Sequence, residues 1–330
     1  MFDDYNRDSK EKLTNEVKEE KSTKKILLII IVSIILVLIA TLIPIYFIYH
    51  TNDELNFLIV SDVHEADDKL DKLKDRMSNK KFDYVLFLGD FIKYDKNRNI
   101  TDDEKLNIIK ELIKKFEEIA PVLYVGGNHD AINLFDENFN LDTDSDKTQN
   151  LHKNIIKIKN DLYIAGIGGS IPIINGTNYK KGEIPFSSIN TNDVIISGFP
   201  YDDSSDYEAS DKEFQKDLNY TLDKIKDNKI FIILISHIGP IYSYTSIQKI
   251  NDTCPMGYLG SKKLFDTFMN NDQIFLNIHG HVHPSRGKFN FYENKTVLNP
   301  GALTDSNYAT MKIYKHDGKY DIKSSLEDLF

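Results

Sequence analysis

Residues 26–49 form a run of 24 residues without one charged side chain, and from 26 to 43 only Ser33 and Thr41 interrupt the apolar character. A bilayer is crossed by roughly 20 such residues in a helix. A cleaved leader has a shorter apolar core, roughly 7–15 residues, followed by a small-x-small cleavage site. This run is too long, follows a 25-residue leader and has no Ala-x-Ala after it. A buried helix of a soluble domain keeps some polar face, and this one has none. The expectation is a cytoplasmic tail at 1–25, a signal-anchor transmembrane helix at 26–49 and a folded domain at 55–330.

Flanking charge sets the direction. Lys18, Lys21, Lys24 and Lys25 precede the run, whereas Asp53 and Glu54 follow it and the next lysine is Lys69. Lys and Arg stay cytoplasmic, so the expected product is a single-pass membrane protein with its amino end in the cytoplasm and its domain extracytoplasmic or lumenal. Sequons at Asn99, Asn175, Asn219, Asn251 and Asn294 fit that side but carry little weight in so Asn-rich a chain. The tail holds seven basic and seven acidic residues, so the net charge of −10 belongs to the part beyond the span. That balance offers no basic track for a polyanion, and no nucleic-acid partner is expected. One cysteine, Cys254, excludes a disulfide scaffold and a four-cysteine zinc site.

Beyond the span, continuous apolar runs at 55–61, 84–88, 122–125, 230–235 and 274–278 read as strands buried on both faces. Segments 103–120 and 211–226 carry apolar residues at helical spacing, and 310–324 alternates around His316-Asp317-Gly318 as a hairpin would. Polar stretches at 134–150, 174–192 and 201–211 read as surface loops. The pattern predicts an α/β domain.

Chemistry-bearing residues follow those strands: Asp62-Val63-His64, Gly89-Asp90, Gly127-Asn128-His129-Asp130, His237 and Gly280-His281-Val282-His283. Open α/β sheets build their sites just beyond strand carboxyl ends, so the five clusters should converge. Each alone is weak; a lone His237 is more often structural. Yet five of nine histidines fall in this setting, while His50, His152, His279 and His316 do not. In an extended chain Asp62 and His64 point the same way and can share an ion. His281 and His283 can do likewise or straddle two ions. Asp90 has the oxygens to bridge a pair, and Asn128 adds a neutral ligand. Two divalent ions, the carboxylates of Asp62 and Asp90 and one hydroxide leave the site near a charge of about +1, suited to a phosphate anion.

This ordered set resembles the calcineurin-like metallophosphoesterase superfamily over nearly the whole domain, and Asn299-Pro300-Gly301 resembles a segment of its phosphodiesterase-like branch. The resemblance implies two mixed β-sheets in a sandwich flanked by helices. It implies a dinuclear metal-dependent hydrolase of phosphoesters, monoester or diester, acting by in-line attack of a metal-bridging hydroxide on phosphorus. It assigns Asp62, His64 and His283 to one ion and Asn128, His237 and His281 to the other, with Asp90 bridging. His129 would act on the leaving oxygen, oriented by Asp130. The donor set suits Mn, Fe, Zn or Co. The chain departs from the protein phosphatases of the superfamily, since Phe91-Ile92-Lys93-Tyr94 and Gly126 stand where phosphate-clamping arginines belong, and from purple acid phosphatases, since Lys93 stands where a tyrosine belongs. The alternative is a non-catalytic metal-binding interaction module that keeps the fold, but such a module has no physical need for the full set of ligands.

Overall fold

The structure, a computed structural model, describes residues 24–43, 54–93, 95, 97–143, 145–172, 199–201, 207–227, 229–248, 257–292 and 295–330. The stretches 1–23, 44–53 and 174–192, His50, Cys254 and the sequons at Asn175, Asn251 and Asn294 lie outside them. Helix α1 spans Lys24–Ile43, with a mean hydropathy of 3.5 and no residue buried against protein, and is a candidate membrane span.

Residues 55–330 form a separate unit. Its strands are β1 (Glu54–Val60), β2 (Tyr84–Phe87), β3 (Val122–Tyr124), β4 (Gln149–Asn150), β5 (Ile155–Lys157), β6 (Leu162–Ile167), β7 (Phe231–Ser236), the two-residue pieces β8 to β11 (Gly239–Pro240, Ile247–Gln248, Gly257–Tyr258, Gly260–Ser261), β12 (Ile274–His279), β13 (Gly287–Asn290), β14 (Thr296–Asn299), β15 (Asn307–His316) and β16 (Lys319–Asp328). One six-stranded sheet has the order β16-β15-β1-β2-β3-β4 and the other β13-β14-β12-β7-β6-β5. The first is parallel from β1 to β4 and closes on the antiparallel β15–β16 hairpin. The second is parallel from β14 through β12 and β7 to β6, with antiparallel edges at β13 and β5. Both sheets are mixed, as expected.

Strand alternation explains the layering. Phe57, Ile59, Leu86, Leu88 and Leu123 of the first sheet meet Ile164, Ile233, Ile235, Leu276 and Ile278 of the second. The intervening Leu58, Val60, Val85 and Phe87 face helices α2 (Asp67–Met77) and α3 (Asp102–Glu117) through Leu70, Leu73, Ile109, Ile113 and Phe116. On the second sheet Ala165, Ile167, Ile232 and Leu234 meet Phe214, Leu218, Leu264 and Phe268 of α4 (Tyr207–Asp223) and α5 (Lys262–Asn270). A strand clothed on both faces has no polar side, which is why these runs are continuously apolar. Helix starts follow local chemistry: Thr101 and Glu104 form a capping box on α3, and the Ser261 hydroxyl accepts the Leu264 N–H on α5.

Two expected loops are corrected. Segment 134–150 buries Leu134, Phe135, Leu141 and Asn150; the Asn150 amide donates to the carbonyls of Leu134 and Phe139, which lets a polar sequence enter the interior. Segment 201–211 ends inside α4, where Tyr207, Ser210 and Asp211 are buried. Helices α2 and α5 and strand β6 go beyond the elements that the sequence pattern predicts. The two helices are short, and each carries only two or three core-facing residues in an otherwise polar sequence.

Candidate metal centre

The parallel strands β1, β2, β3, β7 and β12 end at one side of the sandwich, and main-chain hydrogen bonds lash their exits together. The Asp62 N–H donates to Gly89 O at 3.0 Å, His64 N–H to Asp90 O at 3.1 Å and Glu65 N–H to Phe91 O at 2.9 Å. Gly280 N–H donates to His237 O at 3.0 Å, and His129 N–H to Asp90 Oδ1 at 3.0 Å. Two glycines permit the close approach. A Cβ on Gly127 would fall 2.2 Å from Asp90 Oδ1, and one on Gly280 would fall 1.8 Å from Ser61 Oγ and 2.6 Å from Asp62 Oδ2.

The extended geometry expected for Asp62 and His64 is not what brings them together. Asp62, His64, Asp90 and His281 have φ of 52°, 46°, 58° and 66°, the left-handed region that side chains seldom adopt. The chain turns sharply at each strand end and aims consecutive side chains into one volume. Strain of this kind collects at functional sites and persists only where the surroundings over-determine it, as the cross-bracing does here.

Two clusters result, Asp62–His64–His283 and Asp90–His237–His281. In the first, His283 Nε2 lies 3.1 Å from Asp62 Oδ1 and 3.2 Å from His64 Nε2. In the second, His237 Nε2 lies 3.5 Å from Asp90 Oδ2 and 3.0 Å from Asn128 Oδ1. Asp90 Oδ2 also stands 3.9 Å from His64 Nε2, so its carboxylate lies between the clusters. Ligand atoms held at about 2.1 Å from one ion stand roughly 3.0–3.4 Å apart, and the His283–Asp62, His283–His64 and His237–Asn128 separations fall in that range. The His64 and His237 Nδ1 atoms lie 2.9 and 2.7 Å from the carbonyls of Ile92 and Leu88. A carbonyl only accepts, so each Nδ1 carries a proton and each Nε2 is the ring atom turned toward its cluster.

The donor set fits divalent cations on a further observation. His281 Nε2 is buried with no hydrogen-bond partner among the described residues, an orphan that costs free energy unless something takes its lone pair. Burial and the nearby His237 push the His281 imidazole down to about 3, so the ring is neutral at neutral pH and keeps one unprotonated nitrogen. Burial opposes ionisation of Asp62 and Asp90, yet both are held below the ordinary carboxylate value, Asp62 by the bonded His283 and Asp90 by His237, His129 and His64. His237 is likewise opposed by burial but is drawn up to about 9 by Asp90 and Asp62. Two buried carboxylates thus pull positive charge into the centre. His279 is not part of it: its ring nitrogens face Gly280 O and Thr245 Oγ1, as its place on the opposite strand face predicts.

His129 sits at the rim, its Nε2 3.8 Å from Asp90 Oδ2 and 3.2 Å from Asn128 Nδ2, and burial lowers its pKa. Among the described residues, the hydrogen-bond partners of the Asp130 carboxylate are main-chain groups on the neighbouring strand exits. The Asp130 carboxylate takes the main-chain N–H groups of Asp90, Phe91, Ile92 and Gly127, at 2.7–3.1 Å. It staples the β2 exit to the β3 exit, an arrangement side-chain types do not advertise. Burial and the Asp90 charge raise its pKa to about 7, against those donors. Asn299 bonds Thr245 O and Val282 O and steadies the loop carrying His283. Asp305, whose carboxylate lies 3.7 Å from His283 Nδ1, carried no sequence signal.

The family model for calcineurin-like phosphoesterases matches residues 55–285. A comparison with curated proteins finds no match. Among solved structures, one is superimposed with a TM-score of 0.55 at 16 % identity, covering 84 % of this chain and 100 % of its own. A protein of Thermus thermophilus gives 0.49 at 12 %, covering 84 % and 99 %. A dimetal phosphatase of Danio rerio gives 0.48 at 12 %, also covering 84 % and 99 %. At such identities the first of these speaks for the fold alone.

Proposed function

The chain belongs to the calcineurin-like phosphoesterase family, and from that premise we propose that it is a dinuclear, metal-dependent hydrolase that cleaves phosphoesters by in-line attack of water on phosphorus. The observation that carries this reading is the pair of three-residue donor clusters, with the Asp90 carboxylate between them and a buried, unpartnered nitrogen on His281. Asp62, His64 and His283 would hold one divalent ion, His237, His281 and Asn128 the other, and Asp90 both. When bound, the two ions supply Lewis acidity toward the phosphoryl oxygens and lower the pKa of water to near neutrality. Mn, Fe, Zn and Co all suit these ligands.

The chain's own residues do the rest. The main-chain lashing at the strand exits fixes the carboxylates, so little reorganisation is needed as charge develops on phosphorus. His129, at the open rim, is placed to give a proton or a hydrogen bond to the leaving oxygen. Its lowered pKa makes its protonated form a stronger acid. Asp130 keeps the two loops that carry Asp90 and His129 in register through four main-chain bonds.

The full chain in detergent, supplied with Mn²⁺, should hydrolyse an aryl phosphate monoester or diester. Asp90→Asn should abolish turnover and lower metal content. His129→Gln should keep the metal and lower kcat by about 10²–10⁴. Bound metal without turnover of any ester would favour the interaction module instead. The lysines that precede the apolar run at residue 26 support a cytoplasmic amino end with the domain across the membrane. In sealed vesicles a carboxy-terminal tag should then resist protease added on the cytoplasmic side, and digestion there would reverse the topology.

A further inference from the structure

Two clefts open beside the clustered imidazoles. One, of about 580 Å³, is lined by His64, Glu65, Ala66, Lys93, His129 and Thr304. The other, of about 680 Å³, runs from Asn128 and His129 past Lys93 to Arg98, Lys105 and the start of α3. His129 and Lys93 are the two residues common to both linings. A molecule whose phosphoryl group reaches the ligand clusters, and whose remaining part lies along either cleft, meets a cleft that both side chains line. Clefts of this size suit small organic ligands.

The other cations of the longer cleft are engaged. Arg98 Nη1 lies 2.6 Å from each Glu65 carboxylate oxygen, and Lys105 Nζ donates to Asp130 O at 3.2 Å with Asp102 3.9 Å away. The Lys93 ammonium has neither a hydrogen bond nor an ion pair among the described residues. Its main chain, by contrast, is held firmly. The Lys93 N–H donates to Glu65 Oε1 at 3.3 Å, the preceding Ile92 N–H donates to Asp130 Oδ1 at 3.1 Å, and the Ile92 carbonyl accepts from His64 Nδ1 at 2.9 Å. A free cation mounted on a braced backbone, in a chain of net charge −10, is a local feature and not the overflow of a basic surface. Asp95 and Asp102 also line the longer cleft; Asp95 accepts the Asn97 N–H and Asp102 faces Lys105.

We propose that Lys93 is a specificity-determining residue that binds a second anionic group of the substrate, adjacent to the scissile phosphoryl, so that the enzyme prefers phosphoesters with two neighbouring anionic centres, as in a diphosphate ester. The proposal rests on the phosphoesterase reading above. Lys93 is exposed at the mouth of both clefts, and a charged donor that meets an anion gives a stronger hydrogen bond than neutral pairs do. A dianionic neighbour therefore gains affinity that a single phosphoryl does not.

The test is calorimetric, so it does not depend on turnover. The Mn²⁺-loaded full chain in detergent is titrated with methylphosphonate, which has one phosphonate, and with methylenediphosphonate, which has two. Wild type, Lys93→Gln and Lys93→Arg are compared for each ligand separately, so chelation of free Mn²⁺ cancels within each series. The expected result is that Lys93→Gln weakens methylenediphosphonate about tenfold or more and methylphosphonate less than about twofold, with Lys93→Arg restoring most of the loss. Equal weakening of both would place Lys93 on the scissile phosphoryl and overturn the proposal. So would unchanged affinity for both, or a wild type that binds neither. A wild type that binds as expected but hydrolyses no phosphoester would count against the proposed function and not against this assignment.

Discussion

His152 illustrates how a buried group outside the ligand clusters can still set a property of the protein. Its ring is almost fully buried, accepts the Gly168 N–H on Nδ1 at 3.0 Å and packs edge-on against Phe135. Burial drives its pKa down from 6.5 to about 3. The folded protein therefore holds it neutral while the unfolded chain protonates it below pH 6.5. Stability from this residue is complete above pH 6.5 and falls as pH drops toward 3, by about 1.4 kcal/mol per pH unit for one proton. His152→Gln, which keeps an acceptor and cannot titrate, should flatten the fall of the denaturant midpoint between pH 6.5 and 4. An identical slope in the variant would mean that other groups carry the dependence. At the ligands the same scale of argument applies to backbone. Four of them occupy left-handed conformations at roughly 1–2 kcal/mol each, and the hydrogen bonds that lash the strand exits are what offset this.

At the scale of elements, the centre depends on how closely strand exits approach, and Gly280 is the clearest measure of it. A methyl there collides with Ser61 Oγ and crowds Asp62 Oδ2, and His281 N–H donates to that same oxygen at 3.0 Å. Gly280→Ala should displace Asp62, lowering metal content and turnover while leaving the far-ultraviolet circular dichroism unchanged. Full metal loading in that variant would show that the two exits have slack. Here too lies the limit of what residue order conveys. The strands were legible because Phe57, Ile59, Leu86 and their neighbours are clothed on both faces and leave unbroken apolar runs. The residues of the two candidate metal clusters stood out because each lies just past the end of such a run. The hairpin was legible from Asp317-Gly318, whose φ of 48° and 75° suit a tight turn. What was not legible depends on contacts distant in the chain. The left-handed turns at Asp62 and Asp90, the Asp130 staple and the burial of Asn150 are fixed by main-chain partners, which side-chain type does not encode. Short α2 and α5 show few apolar residues because each covers only a narrow strip of sheet.

For the whole molecule, the sandwich turns five separate stretches of sequence into one site. Helices cover both outer faces, apolar side chains fill the interior between the sheets, and the carboxyl ends of the central parallel strands are left to carry the chemistry. The candidate span α1 would add a tether that the chemistry does not require. The central claim is that the five strand exits together hold a pair of cations. Anomalous diffraction from crystals of the full chain grown with excess Mn²⁺ tests it most directly. The account predicts two peaks roughly 3.5–4 Å apart, one bonded by Asp62, His64 and His283, the other by His237 and His281, with Asp90 reaching both. A single peak, a pair elsewhere, or no peak at these residues would contradict it.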